Sequence, residues 1–375
     1  MRVYIYPADV TGCGYYRLIW VSQFLKSQGH DIRLVHPKLH GRFHGIKSLE
    51  DENVLEDINH PQDADVIVMQ RVSSVKMISG IKIMRSRGIA VVLDIDDDMR
   101  AIHPSNPAFL ALNPSTKGDQ SDYSWSNADK VYAAATWVTA STDALLRRYA
   151  TYDPATKQYA GTVLRNVVPR IMTQITPRPV PNVIGWGGMI LSHPNDLQVM
   201  GPAMAQIQRA GYTFRVVGPG HGIKRALLLE QPPEATGPVE LQHWPHHLAR
   251  LSVGVAPLAQ TRFNEAKSWL KMLEYASLGV PVVASPTTEY QRLHQLGVGL
   301  LAKDPRQWHR QCRRLLDDDN YRAEIAAAGR QSVIDAQLTV EDQAWRWLEV
   351  WTKAYQLERG PLGLKPSDRT VDAEV

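Results

Sequence analysis

Short runs rich in Val and Ile recur along the sequence and alternate with segments of helical periodicity. The runs are continuously apolar, which is typical of strands covered on both faces, as in parallel sheets. Strands joined by helices form βαβ units, so the pattern predicts an α/β fold with doubly wound parallel sheets. The predicted strands are 2–6, 31–35, 65–70, 89–95, 131–135, 137–140, 162–164, 183–186, 213–217, 251–256 and 280–284.

A proline-rich stretch interrupts this pattern near the middle of the chain. Four prolines fall within 169–181, without clear periodicity, and the strand–helix alternation restarts after them. This predicts a linker at 170–182 between a first domain, 1–169, and a second domain, 183–339. Two α/β halves joined by a hinge also predict a cleft between them. The remaining predicted segments are helices at 75–87, 142–149, 195–210, 307–316, 321–336 and 340–357, and a disordered tail at 358–375.

Composition is that of an ordinary globular protein. Of 375 residues, 44% are hydrophobic and 21% charged, which excludes a long disordered chain. The net charge of +4 suits acidic ligands such as nucleotides, but it is too small to indicate nucleic acid by itself. Two cysteines form no disulfide framework, and no run reaches the ~18 apolar residues of a membrane span. With no signal-peptide pattern at the N-terminus, we predict a cytoplasmic protein without integral membrane contact.

The most informative segment is a predicted helix at 264–278. Asn264 is a favourable N-cap residue, and Gly279 stands where a glycine commonly ends a helix. At about 100° per residue, Lys267, Lys271 and Glu274 fall on one stripe, opposite an apolar face.

This stripe places cations where an isolated helix would not favour them. Lys267 and Lys271 repel each other and lie near the positive end of the helix macrodipole. The arrangement is explained if an anion such as a diphosphate binds there, with Glu274 accepting hydrogen bonds from a ribose. A solvated amphipathic helix, with Glu274 paired to Lys271, remains the alternative interpretation.

The run FNEAKSWLKMLEYASLGVPVVAS, at 263–285, resembles the donor-site segment of GT-B glycosyltransferases. The resemblance is to glycosyltransferase family 4 (group 1), in a form common in phage and bacteria, and extends roughly over 1–357. It implies a GT-B fold with two Rossmann-like domains and the active site between them. The first domain would bind the acceptor and the second a nucleoside-diphosphate sugar, with the helix at 340–357 packing across both.

The family resembled here has a Glu-x7-Glu motif at this helix, and its second Glu binds the donor ribose. Glu274 matches the second position, whereas Ala266 replaces the first Glu. The resemblance implies catalytic roles for Lys267 and Glu274. The further donor-binding residues predicted on this helix are Asn264, Ser268, Trp269 and Lys271.

Two glycine-containing turns follow predicted strands, one in each half of the chain. Paired glycines let a backbone approach a ligand closely, and the resemblance places both loops near the substrates. Ordinary tight turns explain these glycines equally well. The donor-binding residues predicted in the two loops are Gly12, Gly14, Arg17, Gly218, Gly220 and Lys224.

Acidic residues end the strand at 89–95, in the run VVLDIDDDMRAIHP. The carboxyl edge of a parallel sheet is where α/β proteins bind ligands, so we predict that Asp97 contacts the acceptor or acts as a base. His103, in the following loop, is a second catalytic candidate, and solvated loop acids remain the alternative. Closely spaced acids also suit Mg²⁺ or Mn²⁺. The family normally needs no metal, and we predict no metal and no other cofactor.

These features predict a glycosyltransferase that moves a sugar, with retention, from a nucleoside-diphosphate sugar to an acceptor hydroxyl. Lys267, Lys271 and the amides around Ser268 would stabilise the leaving diphosphate. The acceptor is left open between a glycan, a protein and a modified DNA base. Three alternatives also stay open: a phage enzyme acting on DNA or a virion protein, a GT-B nucleotide-sugar epimerase, and a non-catalytic nucleotide-binding module, which Ala266 favours.

Overall fold

The computed structural model describes residues 1–36, 45–113 and 123–360. Its strands include most of the predicted runs, several of them shortened at their ends. In chain order they are β1 Val3–Tyr6, β2 Ile32–Leu34, β3 Gly45–Lys47, β4 Leu55–Ile58, β5 Val66–Gln70, β6 Ala90–Ile95, β7 Trp137–Ala140, β8 Tyr152–Asp153, β9 Gln158–Tyr159, β10 Gly161–Val163, β11 Val183–Gly187, β12 Thr213–Val217, β13 Glu234–Ala235, β14 Val253–Ala256, β15 Val282–Ala284 and β16 Leu300–Leu301.

Helices connect most of these strands. They are α1 Gly12–Gly14, continued by a π-helix at Tyr15–Ile19, α2 Trp20–Ser27, α3 Met77–Ser86, α4 Pro107–Leu112, α5 Ala128–Ala133, α6 Asp143–Tyr149, α7 Ile171–Gln174, α8 Ala203–Arg209, α9 Ile223–Ala226, α10 Trp244–Leu248, α11 Arg262–Glu265, α12 Leu270–Ser277, α13 Thr288–Gln295, α14 Pro305–Asp317, α15 Asp319–Asp335 and α16 Val340–Arg359. Short 3-10 turns occupy Met99–Ala101, Ile190–Ser192 and Leu197–Met200.

The chain divides into two compact units. The first comprises Met1–Ala101, Leu112–Asn166 and the chain from Gln343 onward. The second comprises Ile102–Ala111 and Val167–Asp342. The last helix therefore begins within the second unit and continues as part of the first. The linker predicted at 170–182 stays a prediction, because a division into compact units does not identify a hinge.

Each unit contains a six-stranded sheet in which every neighbouring pair is parallel. The order is β10-β7-β6-β5-β1-β2 in the first unit and β13-β12-β11-β14-β15-β16 in the second. In the second unit the chain starts at β11, winds outward on one side and returns to β14 on the other. This order creates a switch point between β11 and β14, and such sheets bind ligands at the carboxyl ends of the strands there.

Burial explains why the apolar runs predicted a parallel sheet. All residues of β5 and β6 are buried, as expected for strands covered on both faces. In the second unit, Trp186 on β11 is fully buried in a core with Trp308 of α14. The predicted α/β class with doubly wound sheets is therefore confirmed.

The strand predicted at 131–135 and the helix predicted at 195–210 differ from the structure. The predicted strand at 131–135 lies mainly in α5, where Ala128, Val131 and Tyr132 are buried with the spacing of a helix. The predicted helix at 195–210 is broken, because Gly201 has a φ of 53° and Pro202 follows it, so α8 begins only at Ala203.

The predicted tail begins too early. Helix α16 extends through Arg359, and the carboxylate of Glu358 accepts hydrogen bonds from Arg85 Nε at 2.9 Å and Thr136 Oγ1 at 2.7 Å. The remainder of the predicted tail, 361–375, lies outside the described residues. Among the helices of the described ranges, none combines the length and apolarity required to cross a bilayer.

A fully buried ion pair ties the first helical segment to the sheet of the first unit. Arg17 lies in the π-helical turn and has no exposed surface. Its guanidinium donates two hydrogen bonds to Asp94 of β6, at 2.7 and 3.1 Å, and one to Asn166 Oδ1 at 2.9 Å. Thr139 Oγ1 donates to the same carboxylate at 2.6 Å. These bonds compensate charges that would otherwise be costly to bury.

This ion pair predicts a large effect of removing one partner alone. Arg17→Met leaves Asp94 buried and unpaired, and we expect a loss of about 3–5 kcal/mol in the free energy of unfolding, measured by urea denaturation. The double variant Arg17→Met/Asp94→Leu should recover much of that loss, since both charges are gone. Arg33→Met, at an exposed ion pair with Asp31, is the matched control and should cost less than about 1 kcal/mol. Equal losses in Arg17→Met and Arg33→Met would contradict the expectation.

Candidate functional site

The carboxyl ends of β11 and β12 meet through glycines. Gly188, directly after β11, donates its N–H to Val217 O at 3.0 Å. Gly218, directly after β12, has a φ of 138°, and a Cβ added to it would lie 2.2 Å from Gly188 O. Only glycine fits there, because the two backbone turns pack against each other, and a donor contact at Gly218 stays a prediction.

The predicted helix at 264–278 is two helices, α11 and α12, separated by residues 266–269. The predicted N-cap is wrong: Thr261 caps α11, with its Oγ1 accepting from Asn264 N at 3.1 Å. Both residues are suitable caps, and the earlier one starts the helix. The break places Lys267 and Ser268 immediately ahead of the eight-residue helix α12, rather than within a longer helix.

Asn264 is buried and positions a loop. Its Nδ2 donates to Asp196 Oδ1 at 2.5 Å and to Ala259 O at 3.0 Å. Asp196 Oδ1 also accepts from Ala259 N at 2.9 Å, and its Oδ2 lies 3.0 Å from His193 Nδ1. Asn264 and Asp196 thus join the loop after β14 to the turn that follows β11.

Lys271 and Tyr275 hold the last residue of β11 from both sides. The ammonium of Lys271 donates to Gly187 O, while Gly187 N donates to the hydroxyl of Tyr275 at 2.9 Å. The two side chains are four residues apart on α12 and therefore share a face. Lys271 Nζ also lies 5.5 Å from the centroid of the Trp186 ring. Burial lowers the pKa of Lys271, and the charge of Glu274 acts in the opposite direction.

Glu274 is buried and faces Trp244 of α10. Its Oε1 accepts from Trp244 Nε1 at 2.9 Å. The Trp244 indole also lies against Gly187, since a Cβ added to that glycine would be 2.9 Å from two of its ring carbons. The glutamate that was predicted to meet a ribose is therefore at the same edge of the sheet as Lys271.

Charges near the start of α12 act on one another. His193 packs edge-on against Trp186, with ring centroids 5.6 Å apart. Burial lowers the pKa of His193, the hydrogen bond that it donates to Asp196 raises it, and the charges of Lys267 and Lys271 lower it again. Lys267 Nζ lies 4.6 Å from the centroid of the Phe263 ring. This collection of cations at a helix N-terminus is suited to a bound anion.

The other residues of the second unit that were predicted to bind the donor lie around or away from Lys271 and Glu274. Ser268 is half-buried beside Lys267, and its Oγ accepts from Leu270 N at 3.5 Å. Trp269 is buried at the start of α12. Gly220 packs toward Ala235, and Lys224 is exposed on the four-residue helix α9. The structure gives neither of the last two a contact with the residues around Lys271.

Three donor-site predictions lie in the first unit, and one of them is corrected. Arg17 is fully buried and bonded to Asp94, so it presents no surface to a donor. Gly14 is enclosed by the loop before it, because an added Cβ would lie 2.0 Å from Asp9 O. Gly12 has open space around its Cα, and a ligand contact there stays a prediction.

The acidic run in the first unit is largely neutralised by arginines. Asp94 pairs with Arg17, and Asp98 with Arg148 at 2.8 Å. Arg71 donates to both oxygens of Asp96 at 2.6 and 2.8 Å, and to Asp97 at 3.0 Å. In the described ranges, no set of three His, Cys, Asp or Glu side chains is arranged to hold a metal ion.

The other two predicted catalytic residues lie outside the cluster in the second unit (His193, Asp196, Trp244, Asn264, Lys267, Lys271 and Glu274), and they differ in exposure. Asp97 is half-buried next to Arg71 at the carboxyl edge of β6. His103 is exposed in the loop before α4, where its Nδ1 accepts from Ser105 N at 3.1 Å. Catalytic roles for both residues stay predictions.

Sequence reasoning missed several residues of the second-unit cluster. Trp244 lies thirty positions from Glu274 and belongs to no recognised motif. Asp196 and His193 were not among the predicted site residues, and the link from Asp196 to Asn264 depends on a contact across 68 positions. The only local signal was the polar pair itself, three residues apart after a predicted strand.

Comparison with known proteins identifies relatives of the segment that contains these residues. Residues 181–318 match the family model described as glycosyl transferases group 1. Over 85 residues the chain is 32% identical to TuaH of Bacillus subtilis (strain 168), named as a teichuronic acid biosynthesis glycosyltransferase. That match covers 22% of this chain and 21% of the relative.

Solved structures share the fold at low sequence identity. A glycosyltransferase from Rickettsia africae ESF-5 has a TM-score of 0.61 at 13% identity, covering 94% of this chain and 97% of that one. Sucrose-phosphate synthase from Thermosynechococcus elongatus has a TM-score of 0.62 at 14% identity, covering 94% and 98%. Anabaena HepE (Alr3699), solved with UDP, has a TM-score of 0.60 at 14% identity, covering 94% and 100%.

These matches define the class of protein. The chain has the GT-B fold, with two parallel α/β sheets, and residues 181–318 are similar to the group 1 glycosyl transferase family. The GT-B fold and the resemblance to group 1 glycosyltransferases that the sequence predicts are confirmed, the resemblance over residues 181–318, while the family 4 and phage-type details stay predictions.

The environment of His193 predicts a pH dependence of stability. Its pKa is lower in the folded state than the ordinary value of 6.5, so the unfolded chain takes up a proton first as pH falls. The free energy of unfolding should therefore decrease as pH drops below about 6.5. We expect the thermal midpoint to fall more steeply between about pH 8 and pH 5.5 in the wild type than in His193→Gln, which keeps a donor for Asp196.

The exposed His246 provides the control. His246→Gln should retain the pH slope of the wild type. A wild-type slope that is unchanged in His193→Gln would show that this histidine does not supply the effect.

Proposed function

We propose that the chain is a nucleotide-sugar-dependent glycosyltransferase whose donor diphosphate binds at the N-terminus of α12. The observation that carries this proposal is the position of Lys267, Lys271 and Glu274 around the carboxyl end of β11. Lys271 is bonded to Gly187 O, and its charge and that of Lys267 both act on His193. Two ammonium groups beside helix amides are suited to a diphosphate.

The same groups suit the chemistry of transfer. The bond from the anomeric carbon to the diphosphate breaks, the acceptor oxygen bonds to that carbon and gives up its proton to a base, and negative charge develops on the leaving phosphate. Lys267, Lys271 and the amides around Ser268 stabilise that charge in the proposed mechanism. Glu274 orients the nucleotide through its ribose hydroxyls, while Asp97 and His103 are proposed to act on the acceptor.

The finer features of the reaction rest on resemblance. Anabaena HepE was solved with UDP and glucose, which supports a nucleoside-diphosphate hexose as donor for this chain. Retention of configuration is proposed from the similarity to group 1 glycosyltransferases, and the acceptor class is proposed only as a hydroxyl-bearing molecule. We also propose a cytoplasmic location, where nucleotide sugars would be available to it.

One observation favours a second candidate function. Ala266 is fully buried at the position where the family resembled here has its first Glu, so no carboxylate is supplied from that position. A nucleotide-binding module without transferase activity would bind a nucleoside diphosphate and release none from a donor sugar. Assaying donor cleavage separately from nucleotide binding distinguishes the two functions.

Nucleotide affinity tests the proposed site directly. UDP, GDP, ADP and CDP, and their sugar derivatives, are first compared by the rise they cause in the thermal midpoint. For the nucleotide that raises it most, Lys267→Ala and Glu274→Ala should each weaken binding more than about tenfold by calorimetry, since hydrogen bonds to charged groups contribute about 1.5–3 kcal/mol.

Matched controls lie on the same unit. Lys303→Ala and Glu324→Ala remove an exposed lysine and an exposed glutamate away from the cluster, and affinity should change less than about twofold. Unchanged affinity in both Lys267→Ala and Glu274→Ala would place the nucleotide elsewhere.

A further inference from the structure

We propose that Trp244 is a positioning residue for nucleotide recognition: its indole N–H fixes the carboxylate of Glu274 for a ribose. The inference rests on the proposed function, because it assigns part of the same site. Its basis is the 2.9 Å hydrogen bond from Trp244 Nε1 to Glu274 Oε1 and the packing of the indole against Gly187.

The indole connects two elements that the sequence does not place together. Trp244 begins α10, and Glu274 lies in the second turn of α12. Between them lies Gly187, the strand end that Lys271 and Tyr275 also contact. A Cβ at Gly187 would meet the Trp244 ring, so the absence of a side chain there is what admits the indole.

The hydrogen bond has consequences for how Glu274 recognises a ligand. A glutamate side chain has three rotatable bonds, and an oriented carboxylate loses less freedom when it binds a diol. A carboxylate also has about four acceptor positions, so one bond from an indole is compatible with further bonds from ribose hydroxyls. The indole N–H can only donate a hydrogen bond, so the Glu274 carboxylate must accept it.

A positioning role differs from a packing role in what it changes. If Trp244 only fills space against Gly187, its loss lowers stability and weakens the binding of all nucleotides alike. If it orients Glu274, its loss reduces specifically the preference for a nucleotide that carries both ribose hydroxyls. Trp244→Phe separates these roles, because it keeps an aromatic ring and removes the N–H donor.

The experiment compares UDP, GDP, ADP and CDP with their 2′-deoxy and 3′-deoxy counterparts by calorimetry. For the nucleotide that the wild type binds best, we expect the ribose form to bind clearly more tightly than the deoxy forms. In Trp244→Phe this preference should fall at least about fivefold, as for the loss of one charge-assisted hydrogen bond. Trp137→Phe is the matched control, since it removes an indole bond of the same length, 2.9 Å to Thr162 Oγ1, in the first unit. It should leave the preference unchanged.

The combination with Glu274→Gln tests whether Trp244 acts through the carboxylate. In the Glu274→Gln background, Trp244→Phe should cause no further loss of ribose preference. An additional loss of similar size in that background would overturn the inference, as would a full preference in Trp244→Phe alone.

The remaining outcomes separate this inference from the proposed function. If the wild type binds a nucleoside diphosphate without preferring ribose, the role of Trp244 is overturned and the diphosphate site stands. If it binds none of the four, the proposed function fails as well.

Should Trp244→Phe not fold, wild-type protein labelled with ¹⁵N at its ten tryptophans is titrated instead. An indole N–H signal should then respond more to the ribose form than to the deoxy forms, and equal responses would overturn the inference.

Discussion

The contact on which the second unit's site depends is the bond from the Lys271 ammonium to the carbonyl of Gly187. A cation withdrawn from water, as the half-buried Lys271 is, requires an acceptor, and the end of a strand supplies one. Tyr275, one helical turn further on, accepts from the N–H of the same glycine. Helix α12 is therefore fixed to the end of β11 through both polar groups of one residue, and this fixes where Glu274 and the start of the helix lie.

The arrangement of the sheets could be predicted from the sequence because it depends on local composition. Continuous apolar runs such as β5 and β6 fit only strands buried on both faces, and the helices between them imply parallel connections. The short strands β13 and β16 were missed, since two-residue strands carry no periodic signal. The segment at 131–135 was assigned to a strand because its helical spacing begins three residues earlier, at Ala128.

The candidate site was only partly predictable, for reasons that differ from residue to residue. The stripe of Lys267, Lys271 and Glu274 was predicted from the geometry of one continuous helix, yet the helix starts at the earlier cap, Thr261, and breaks at 266–269, which leaves Lys267 ahead of α12. Arg17 has the positive charge expected of a phosphate-binding residue, but its actual partner, Asp94, is 77 positions away. Such long-range pairing leaves no trace in the local pattern, and neither does the approach of Trp244 to Glu274.

The arginine–aspartate pairs of the first unit also determine how this protein would respond to ionic strength. Mobile ions screen charges that reach water, over about 8–10 Å at physiological salt, but act weakly on pairs enclosed by protein. Arg17 with Asp94 is wholly enclosed, and Asp98 is buried beside Arg148. The cohesion of that sheet edge is thus largely insulated from the salt content of the medium, whereas the field of Lys267, which is half-buried and reaches water, is weakened by added salt.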